Sequence, residues 1–327
     1  MQTAFLGDVV LTTPLLAALA ETEGPLDVVT TPAAAPLLET HAAVRRVFPY
    51  DKRGADRGWH GLTALARRLR AEQYQMAYLP HRSLRSAALA LLARIPRRIG
   101  FRDGWRWLYT ETRGRPGAGH EIDRLLALAQ RSAAVSSRPS LGLTAEDEAA
   151  AGRWLEEARV AAPFAALAPG SIWGSKRWPH YAELARWLSD RIAVVLVGGR
   201  EDELLAKEIG AVVPSVVSAC GALTLRQSAA LIGRAEVLVT NDSAPLHFAQ
   251  AVGTRTVAIF GSTVPGFGFG PRGPSDQVLG VEGLACRPCS AHGPARCPLG
   301  HHACMQTLPV EDVMRAIERT GALHRRG

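Results

Sequence analysis

The 327-residue chain lacks a long uninterrupted hydrophobic run. Proline, glycine or a charged residue breaks each apolar stretch well before the roughly 18 residues that a membrane-spanning helix requires. The first residues also lack the order of a secretory signal, which is a basic start, an apolar run and a small-residue cleavage site. We therefore expect a cytoplasmic protein without a transmembrane segment.

Cysteine is scarce, and its placement does not fit a small disulfide-stabilised protein. Cys220 stands alone, and the other four of the five cysteines crowd into residues 286–304. Hydrophobic residues make up 47% of the chain and charged residues 21%, a balance that argues against a disordered or fibrous protein. A chain of this length predicts two domains.

Acidic residues are outnumbered by basic ones, 30 against 38, which gives a formal net charge of +8 and a sequence pI near 9.7. This excess favours a polyanionic partner. The charge alone does not choose among nucleic acid, phosphorylated lipid and nucleotide.

Short apolar runs alternate with stretches of helical period, a pattern that predicts β-α-β units and parallel sheets. The pattern occurs twice. We therefore predict two doubly wound α/β domains, residues 1–150 and 151–327, with the boundary between residues 140 and 163. The first helix is predicted over 13–21, with Thr13 as N-cap and Pro14 at the first helical position. A final helix over 310–318 could pack on either domain.

Four polar segments follow predicted strands, at the edge where open parallel sheets bind ligands. In the first segment, Asp8 is a candidate general base or cation ligand, and helix capping is the alternative. In the second, Ser171 and Lys176 lie in a loop whose backbone and hydroxyls suit a pyrophosphate, although the Walker spacing is absent. A solvated surface loop is the alternative for this second segment.

The third segment places Asp202 between two other acids, Glu201 and Glu203, after a tight turn. An acid there is a candidate acceptor for ribose hydroxyls. Acids that complement the start of a helix are the alternative.

In the fourth segment, the backbone N–H groups of Ser243 and Ala244 are candidates to bind a phosphate, and Asp242 is a candidate to hold a sugar hydroxyl. Simple N-capping by Asp242 or Ser243 is the alternative. His247 follows one turn into an apolar helix, where a histidine is ordinarily a satisfied core residue.

Together the segments resemble the lipopolysaccharide heptosyltransferase family, the ADP-heptose-using glycosyltransferases of family 9, and most closely its heptosyltransferase II branch. The resemblance runs over nearly the whole chain, and four motifs in the right order are far more specific than any one of them. Its strongest carriers are residues 3–14 (TAFLGDVVLTTP), 80–86 (PHRSLRS), 176–179 (KRWP) and 241–247 (NDSAPLH).

The resemblance implies the GT-B fold, in which two Rossmann-like domains face a central cleft, the first binding mainly the acceptor and the second the nucleotide sugar. It implies transfer of heptose from ADP-heptose to a Kdo-lipid A type acceptor in the inner core of lipopolysaccharide. The transfer inverts the anomeric carbon and requires no cofactor. It also implies a peripheral position at the inner face of the cytoplasmic membrane.

By motif match, Asp8 is implied as the general base and Lys176 as the diphosphate clamp. Inverting displacement needs an acceptor oxygen stripped of its proton on one face while a leaving diphosphate gathers charge on the other. The two residues, from opposite domains, would meet these demands when the cleft closes. The implied donor-binding set is Ser171, Lys176, Asp202, Asp242, Ser243, Ala244 and His247.

Arginines crowd the first half of the chain, at positions 82, 85, 94, 97, 98, 102 and 106. In a chain that resembles this family they predict a surface for the phosphates and carboxylates of a lipid-linked saccharide. Ordinary solvated helix faces are the alternative for some of them. We expect no nucleic-acid partner, because no nucleic-acid-binding module accompanies the arginines. The acceptor-binding candidates are His81, Arg82, Arg85 and Arg102.

Two other functions remain open at this point. One keeps the fold but changes the sugar, since the motifs constrain a nucleotide diphosphate better than they constrain a hexose or heptose. The other is a nucleotide-binding or polyanion-binding protein without turnover.

The cysteine cluster has the spacing C-x2-C-x7-C-x6-C, formed by Cys286, Cys289, Cys297 and Cys304. Four thiols this close in a cytoplasmic chain predict a structural Zn²⁺ site or an iron–sulfur cluster. Reduced thiols or two disulfides are the alternatives. The resemblance offers no metal chemistry, so a metal here would be structural.

Overall fold

Every strand pairing in the described part of the chain is parallel. The computed structural model describes residues 1–131 and 138–323. The α/β class predicted from the alternating pattern is thereby confirmed. The chain divides into two compact units, Met1–Gly142 and Leu143–Gly327. The helix Ala145–Glu157 lies wholly in the second unit, which therefore begins before residue 151.

The first unit holds four helices and five strands among its described residues. They are α1 (Leu6–Glu23), β1 (Leu26–Thr30), β2 (Val44–Pro49), α2 (Gly58–Ala71), β3 (Met76–Leu79), α3 (Leu84–Leu92), β4 (Arg97–Phe101), β5 (Glu111–Arg113) and α4 (Glu121–Leu126).

The strands of the first unit form two separate sheets, β1-β2 and β3-β4-β5. Adjacent residues of β1 point to opposite faces. Val28 packs with Val9 and Leu16 of α1, whereas Val29 belongs to the core that contains Leu65 of α2. Helices therefore cover both faces of this unit.

The predicted start of the first helix is wrong, because α1 begins at Leu6 and carries Pro14 in its interior. Proline has no backbone N–H to donate to the carbonyl four residues earlier, which is that of Val10. The hydroxyl of Thr13 donates to that Val10 oxygen at 2.7 Å instead. The side chain that sequence reasoning assigned to an N-cap thus compensates the interior proline.

The second unit holds seven helices and six strands among its described residues. They are α5 (Ala145–Glu157), β6 (Phe164–Ala168), α6 (Tyr181–Ser189), β7 (Ala193–Leu196), α7 (Glu203–Val212), β8 (Val217–Ser218), α8 (Leu225–Gly233), β9 (Val237–Asn241), α9 (Ala244–Val252), β10 (Arg255–Ile259), β11 (Gln277–Leu279), α10 (Ala303–Gln306) and α11 (Val310–Arg319).

The six strands of this unit form one sheet in the order β8-β7-β6-β9-β10-β11. Counted from the first strand of the unit, this is 3-2-1-4-5-6, the order of the doubly wound nucleotide-binding fold. The first strand, β6, lies in the middle, and all five of its residues are buried. The last helix, α11, packs against α6 and β11 within this same unit.

No helix in residues 1–131 and 138–323 is long and apolar enough to cross a bilayer.

We predict that Leu167→Ala lowers the free energy of unfolding by about 2–5 kcal/mol, because Leu167 is fully buried in β6 and its loss leaves a cavity. Chemical denaturation followed by circular dichroism measures the change. The matched control is Leu204→Ala on α7, where the side chain is 74% exposed and the expected change stays within about 0.5 kcal/mol. Equal effects of the two substitutions would contradict the central position of β6.

Candidate functional site

A buried ion pair lies at the carboxyl edge of the second sheet. Lys176 Nζ donates to Asp242 Oδ2 at 2.6 Å, and Thr263 Oγ1 donates to the same oxygen at 2.6 Å. Lys176 and Asp242 are 8% and 9% exposed. A lysine ammonium has three N–H donors, so this pairing leaves donor capacity for an anionic ligand. The structure thus brings together two residues that the sequence placed 66 positions apart.

Asn241, at the end of β9, ties the loops of this edge together. Its side-chain amide donates to Pro169 O at 2.9 Å, and its Oδ1 accepts from the Trp178 backbone N–H at 3.2 Å. Trp178 is itself buried, and its indole N–H donates to Leu308 O. The loop that carries Lys176 is therefore held from both ends.

The same loop is braced by the segment 286–304. Ser175 Oγ donates to Pro294 O at 2.5 Å and lies 2.9 Å from Ser262 Oγ. His302 Nε2 lies 3.0 Å from Ser175 O. These contacts fix the backbone immediately before Lys176.

His247 is buried beside the ion pair, and its burial lowers the pKa of the imidazole below the ordinary value. Its Nδ1 lies 3.0 Å from Gln250 Oε1, and Gln250 Nε2 donates to Gly270 O at 3.0 Å. The amide orientation makes Nδ1 the donor, so Nε2 of the neutral ring is an acceptor. His247 is thus a buried histidine with a hydrogen-bond partner. The family resemblance implies that this residue binds the nucleotide sugar.

Asp202 lies on the other side of the Gly170 loop, after β7. Its Oδ2 accepts from Gly199 N at 3.1 Å, and burial raises the pKa of the carboxyl. A Cβ at position 170 would come within 2.1 Å of Asp202 Oδ1, so any larger residue there would force the Asp202 carboxylate to move. Glu201 is exposed, whereas Asp202 is buried, which favours Asp202 as the residue aimed into the site.

Ser243 and Ala244 form the start of α9, one residue beyond Asp242. Ser243 is the N-cap residue, but its side chain makes no capping hydrogen bond and donates to Asn241 O at 3.4 Å instead. Pro245 at the second helical position has no N–H. Ser171, in the loop after β6, accepts from Trp173 N through its Oγ at 3.3 Å.

In the first unit, Asp8 lies in the first turn of α1, and its Oδ2 accepts from the Phe5 backbone N–H at 3.2 Å. The capping role that sequence analysis gave as the alternative is therefore present. A carboxylate at this place is stabilised by the positive end of the helix dipole. Asp8 is partly exposed.

The acceptor candidates His81, Arg82 and Arg85 lie between β3 and the first turn of α3. Arg85 Nη1 lies 3.3 Å from Lys52 O, and Lys52 Nζ donates to Thr3 O at 2.6 Å. The start of α3 is thereby linked to the residues that precede α1 and Asp8.

Other arginines of the basic stretch have structural partners. Arg97 pairs with Glu111 at 2.8 Å, and Arg98 donates to three backbone carbonyls of its own unit. Arg82 lies 3.4 Å from Asp103 at the surface, and Arg102 is exposed in the turn after β4. Some arginines of this stretch therefore hold the structure of the first unit, and others lie exposed at its surface.

The predicted metal site at Cys286, Cys289, Cys297 and Cys304 is not supported. Within the described ranges, no group of three or more histidine, cysteine or acidic side chains is arranged to hold a metal ion. All four thiols are free. Cys304 is buried in the hydrophobic core, and Cys297 Sγ accepts from the His302 backbone N–H at 3.4 Å.

Hydrogen bonds order this segment instead. The guanidinium of Arg287 donates to four carbonyls, those of Phe260, Gly261, Thr263 and Val281.

Sequence reasoning missed Thr263, Lys52 and Arg287. Thr263 had a usable signal, because residues 261–263 form a polar turn directly after a predicted strand, as in the other four segments. Lys52 and Arg287 had none, since their roles depend on carbonyls from distant parts of the chain.

Comparison with known proteins gives a consistent result. Residues 62–296 match the family model of glycosyltransferase family 9 (heptosyltransferase). The chain is 30% identical over 232 residues to lipooligosaccharide heptosyltransferase 2 of Haemophilus influenzae, which covers 63% of this chain and 67% of that protein. It is 31% identical over 223 residues to lipopolysaccharide heptosyltransferase 2 of Escherichia coli, covering 62% and 64%.

The matched region thus spans about two thirds of these curated relatives, and half of a Campylobacter jejuni relative.

Solved structures confirm the expected GT-B fold. Escherichia coli ADP-heptose lipopolysaccharide heptosyltransferase II superposes with a TM-score of 0.79 at 24% identity, over 98% of this chain and 97% of that one. A family 9 glycosyltransferase of Veillonella parvula gives 0.84 at 21% identity, over 98% and 95%. The chain belongs to glycosyltransferase family 9, the heptosyltransferase family.

Proposed function

We propose that the protein is an inverting glycosyltransferase that moves heptose from ADP-heptose to the inner core of lipopolysaccharide, as a heptosyltransferase II does. The names of its relatives support this assignment. An Escherichia coli heptosyltransferase of similar fold has been solved with ADP and with ADP-2-deoxy-2-fluoro heptose. The observation that carries the proposal is the buried Lys176–Asp242–Thr263 group at the carboxyl edge of the second sheet.

The donor binds to the second unit in this proposal. Asp242 and Asp202 follow β9 and β7, which flank β6 and its Gly170 loop. A nucleotide diphosphate laid along this edge would meet the Lys176 ammonium with its phosphates and Asp202 with its ribose. The amino terminus of α9 adds a favourable dipole for the same phosphates.

The acceptor binds to the first unit. Asp8 takes the proton of the acceptor hydroxyl while the oxygen of that hydroxyl bonds to the anomeric carbon of heptose. The bond from that carbon to the diphosphate oxygen breaks, and ADP leaves with the electron pair. Lys176 stabilises the charge that develops on the diphosphate. These residues supply the base and the positive charge, so we propose no cofactor for the transfer.

The basic character of the first unit suits an anionic acceptor. Lys52 and Arg85 are linked by hydrogen bonds to the residues that lead into Asp8, and His81 lies just before α3. Trp59 and Trp107 are 67% and 72% exposed, which suits a peripheral position at an anionic membrane surface. We therefore place the protein at the inner face of the cytoplasmic membrane, with a Kdo-lipid A type acceptor.

The decisive experiment measures ADP release from ADP-heptose in the presence of Kdo-lipid A acceptors that carry one heptose or none. We expect release with an acceptor, and we expect Asp8→Asn to lower the rate by about 10²–10⁴, the usual contribution of a general base. Asparagine keeps an oxygen for the Phe5 N–H, so helix α1 should persist. Asp190→Asn, at an exposed helix end, is the matched control with unchanged rate.

A rate for Asp8→Asn within threefold of the parent protein would end the general-base assignment. Nucleotide binding without release for any acceptor would favour the non-catalytic alternative. Release of the nucleotide from another nucleotide diphosphate sugar, but not from ADP-heptose, would show that the enzyme uses a different donor.

Lys176→Met should weaken ADP binding by about 10- to 100-fold, since a hydrogen bond to a charged group contributes about 1.5–3 kcal/mol. Isothermal titration calorimetry measures the affinity. The variant also leaves Asp242 buried without its cation, so folding is checked by circular dichroism at the titration temperature. Arg186→Gln, an exposed cation on α6, is the matched control, and an equal loss there would indicate a general charge effect.

Asp202→Asn should separate stability from binding. Burial raises the pKa of Asp202, so the folded state binds its proton more tightly than the unfolded state does. Below the ordinary carboxyl pKa, Asp202 is protonated in both the folded and the unfolded state, so folding buries no charge there. As pH rises through the raised pKa, the carboxyl ionises in the folded state, where its charge is removed from water, and the free energy of unfolding of the parent falls. The variant should therefore gain stability relative to the parent as pH rises above the ordinary carboxyl pKa of about 3.9, while ADP binding falls about tenfold.

Thermal unfolding at several pH values and calorimetry with ADP check this pair of effects. A variant that loses stability at pH 7 and keeps its ADP affinity would show that Asp202 only holds the Gly199 turn.

A further inference from the structure

A short turn of the segment 286–304 lies against the loop that carries Lys176. We call this turn, residues 293–295, the strap. Ser175 Oγ donates to Pro294 O at 2.5 Å, and a Cβ at Gly174 would come within 2.6 Å of the last carbonyl oxygen of the strap. The strap is therefore in direct contact with the two residues that precede Lys176.

The first residue of the strap, Gly293, is buried against the side chain of Lys176. Its φ of +77° lies in the left-handed region, which glycine adopts without strain. A Cβ at this position would lie 2.6 Å from Ser262 Oγ, 3.1 Å from Lys176 Cε and 3.2 Å from Ser175 Oγ. Carbon atoms attract each other best at about 3.5–4.0 Å, so a side chain at position 293 would press on the lysine.

The atom that would be pressed is the carbon that carries the Lys176 ammonium. This ammonium donates to Asp242 Oδ2 at 2.6 Å, the short distance of a charge-assisted hydrogen bond. Asp242 is held from another side by Thr263 Oγ1, which donates to the same oxygen. A methyl group at position 293 would therefore move the ammonium relative to a carboxylate that does not move with it.

The strap is itself tied down, so it does not give way in place of the lysine. Before the strap, the Cys289 N–H donates to Ser262 O at 2.8 Å. After it, His302 Nε2 lies 3.0 Å from Ser175 O. Both ends of this turn are thus fixed to residues that surround Lys176.

We propose that Gly293 is a positioning residue for Lys176, and that the strap holds the lysine ammonium in the place where it meets the diphosphate of the donor. The absence of a side chain at position 293 gives the last methylene of Lys176 its room beside Ser262. The link to ADP rests on the proposed function, whereas the contact between Gly293 and Lys176 does not depend on it.

The test measures the reactivity of the Lys176 amine in the full chain without nucleotide. The chain has three lysines, Lys52, Lys176 and Lys207. Acetylation by an N-hydroxysuccinimide ester, followed by peptide mass spectrometry, gives the rate at each amine, and Lys207 on α7 is an exposed internal reference. Gly293→Ala should speed acetylation of Lys176 about tenfold relative to Lys207, the order expected when a hydrogen bond to a charged group is lost.

Gly300→Ala is the matched control. Gly300 lies in the same segment with a φ of +76°, but a Cβ there meets no heavy atom within 4 Å beyond the adjacent residues. Alanine thus meets the same backbone strain at both positions and presses on Lys176 only at position 293. We expect Gly300→Ala to keep the parent ratio of the two acetylation rates.

A second substitution tests whether the effect passes through the packing around Lys176. Ser262→Ala, added to Gly293→Ala, removes the oxygen that lies closest to the new methyl group and gives that group room away from the lysine. The double variant should bring the acetylation ratio back toward the parent value. Loss of folding would not be reversed in this way, and circular dichroism checks the fold of each variant.

Calorimetry with ADP on the same variants connects the contact to donor binding. Gly293→Ala should weaken ADP binding about tenfold, and Gly300→Ala should leave it unchanged. An unchanged acetylation ratio in Gly293→Ala, or an equal rise in Gly300→Ala, would overturn the proposal. Parent-like ADP affinity in Gly293→Ala, where Lys176→Met lowers it, would also overturn it.

A separate result would count against the proposed function alone. Faster acetylation of Lys176 in Gly293→Ala, with ADP affinity unchanged both there and in Lys176→Met, would confirm that the strap positions the lysine. The same result would end the role of Lys176 as the diphosphate clamp.

Discussion

The buried pair of Lys176 and Asp242 is the interaction on which the proposed donor site depends. Removing either partner would leave a mostly buried charge without its counter-ion, which is costlier than losing an exposed pair. Thr263, Asn241 and the segment 286–304 all serve to hold the two side chains or their loops. The hydrogen bonds hold these side chains in place before a ligand arrives, and this lowers the entropic cost of ordering them on binding.

Much of the second unit could be predicted from the sequence. The apolar run 164–168 predicts a strand and the helical period of 181–189 predicts a helix, and the structure has both elements with these bounds. The edge strands β5, β8 and β11 could not be predicted, because segments of two or three residues show no usable period. The start of α1 was also missed, because Pro14 is an N-terminal signal that tertiary packing and Thr13 overrode.

The candidate site was predictable in part. Polar residues after strands indicated Lys176, Asp242 and Asp202, because parallel strands end at one edge. The sequence could not show that Lys176 and Asp242 contact each other, nor that Thr263 joins them, since these contacts close over long loops. The cysteine spacing suggested a metal, whereas the structure orders the same segment through Arg287 and buries Cys304 as a small apolar side chain.

The close approach of Gly170 to the Asp202 carboxylate has a consequence for natural variation. A side chain at position 170 would bring its first carbon against the Asp202 carboxylate, so the acid would have to move away from its hydrogen bond with the Gly199 N–H. A larger residue at position 170 should therefore occur together with a displaced or smaller side chain at position 202, whereas a change at position 202 alone meets no such clash.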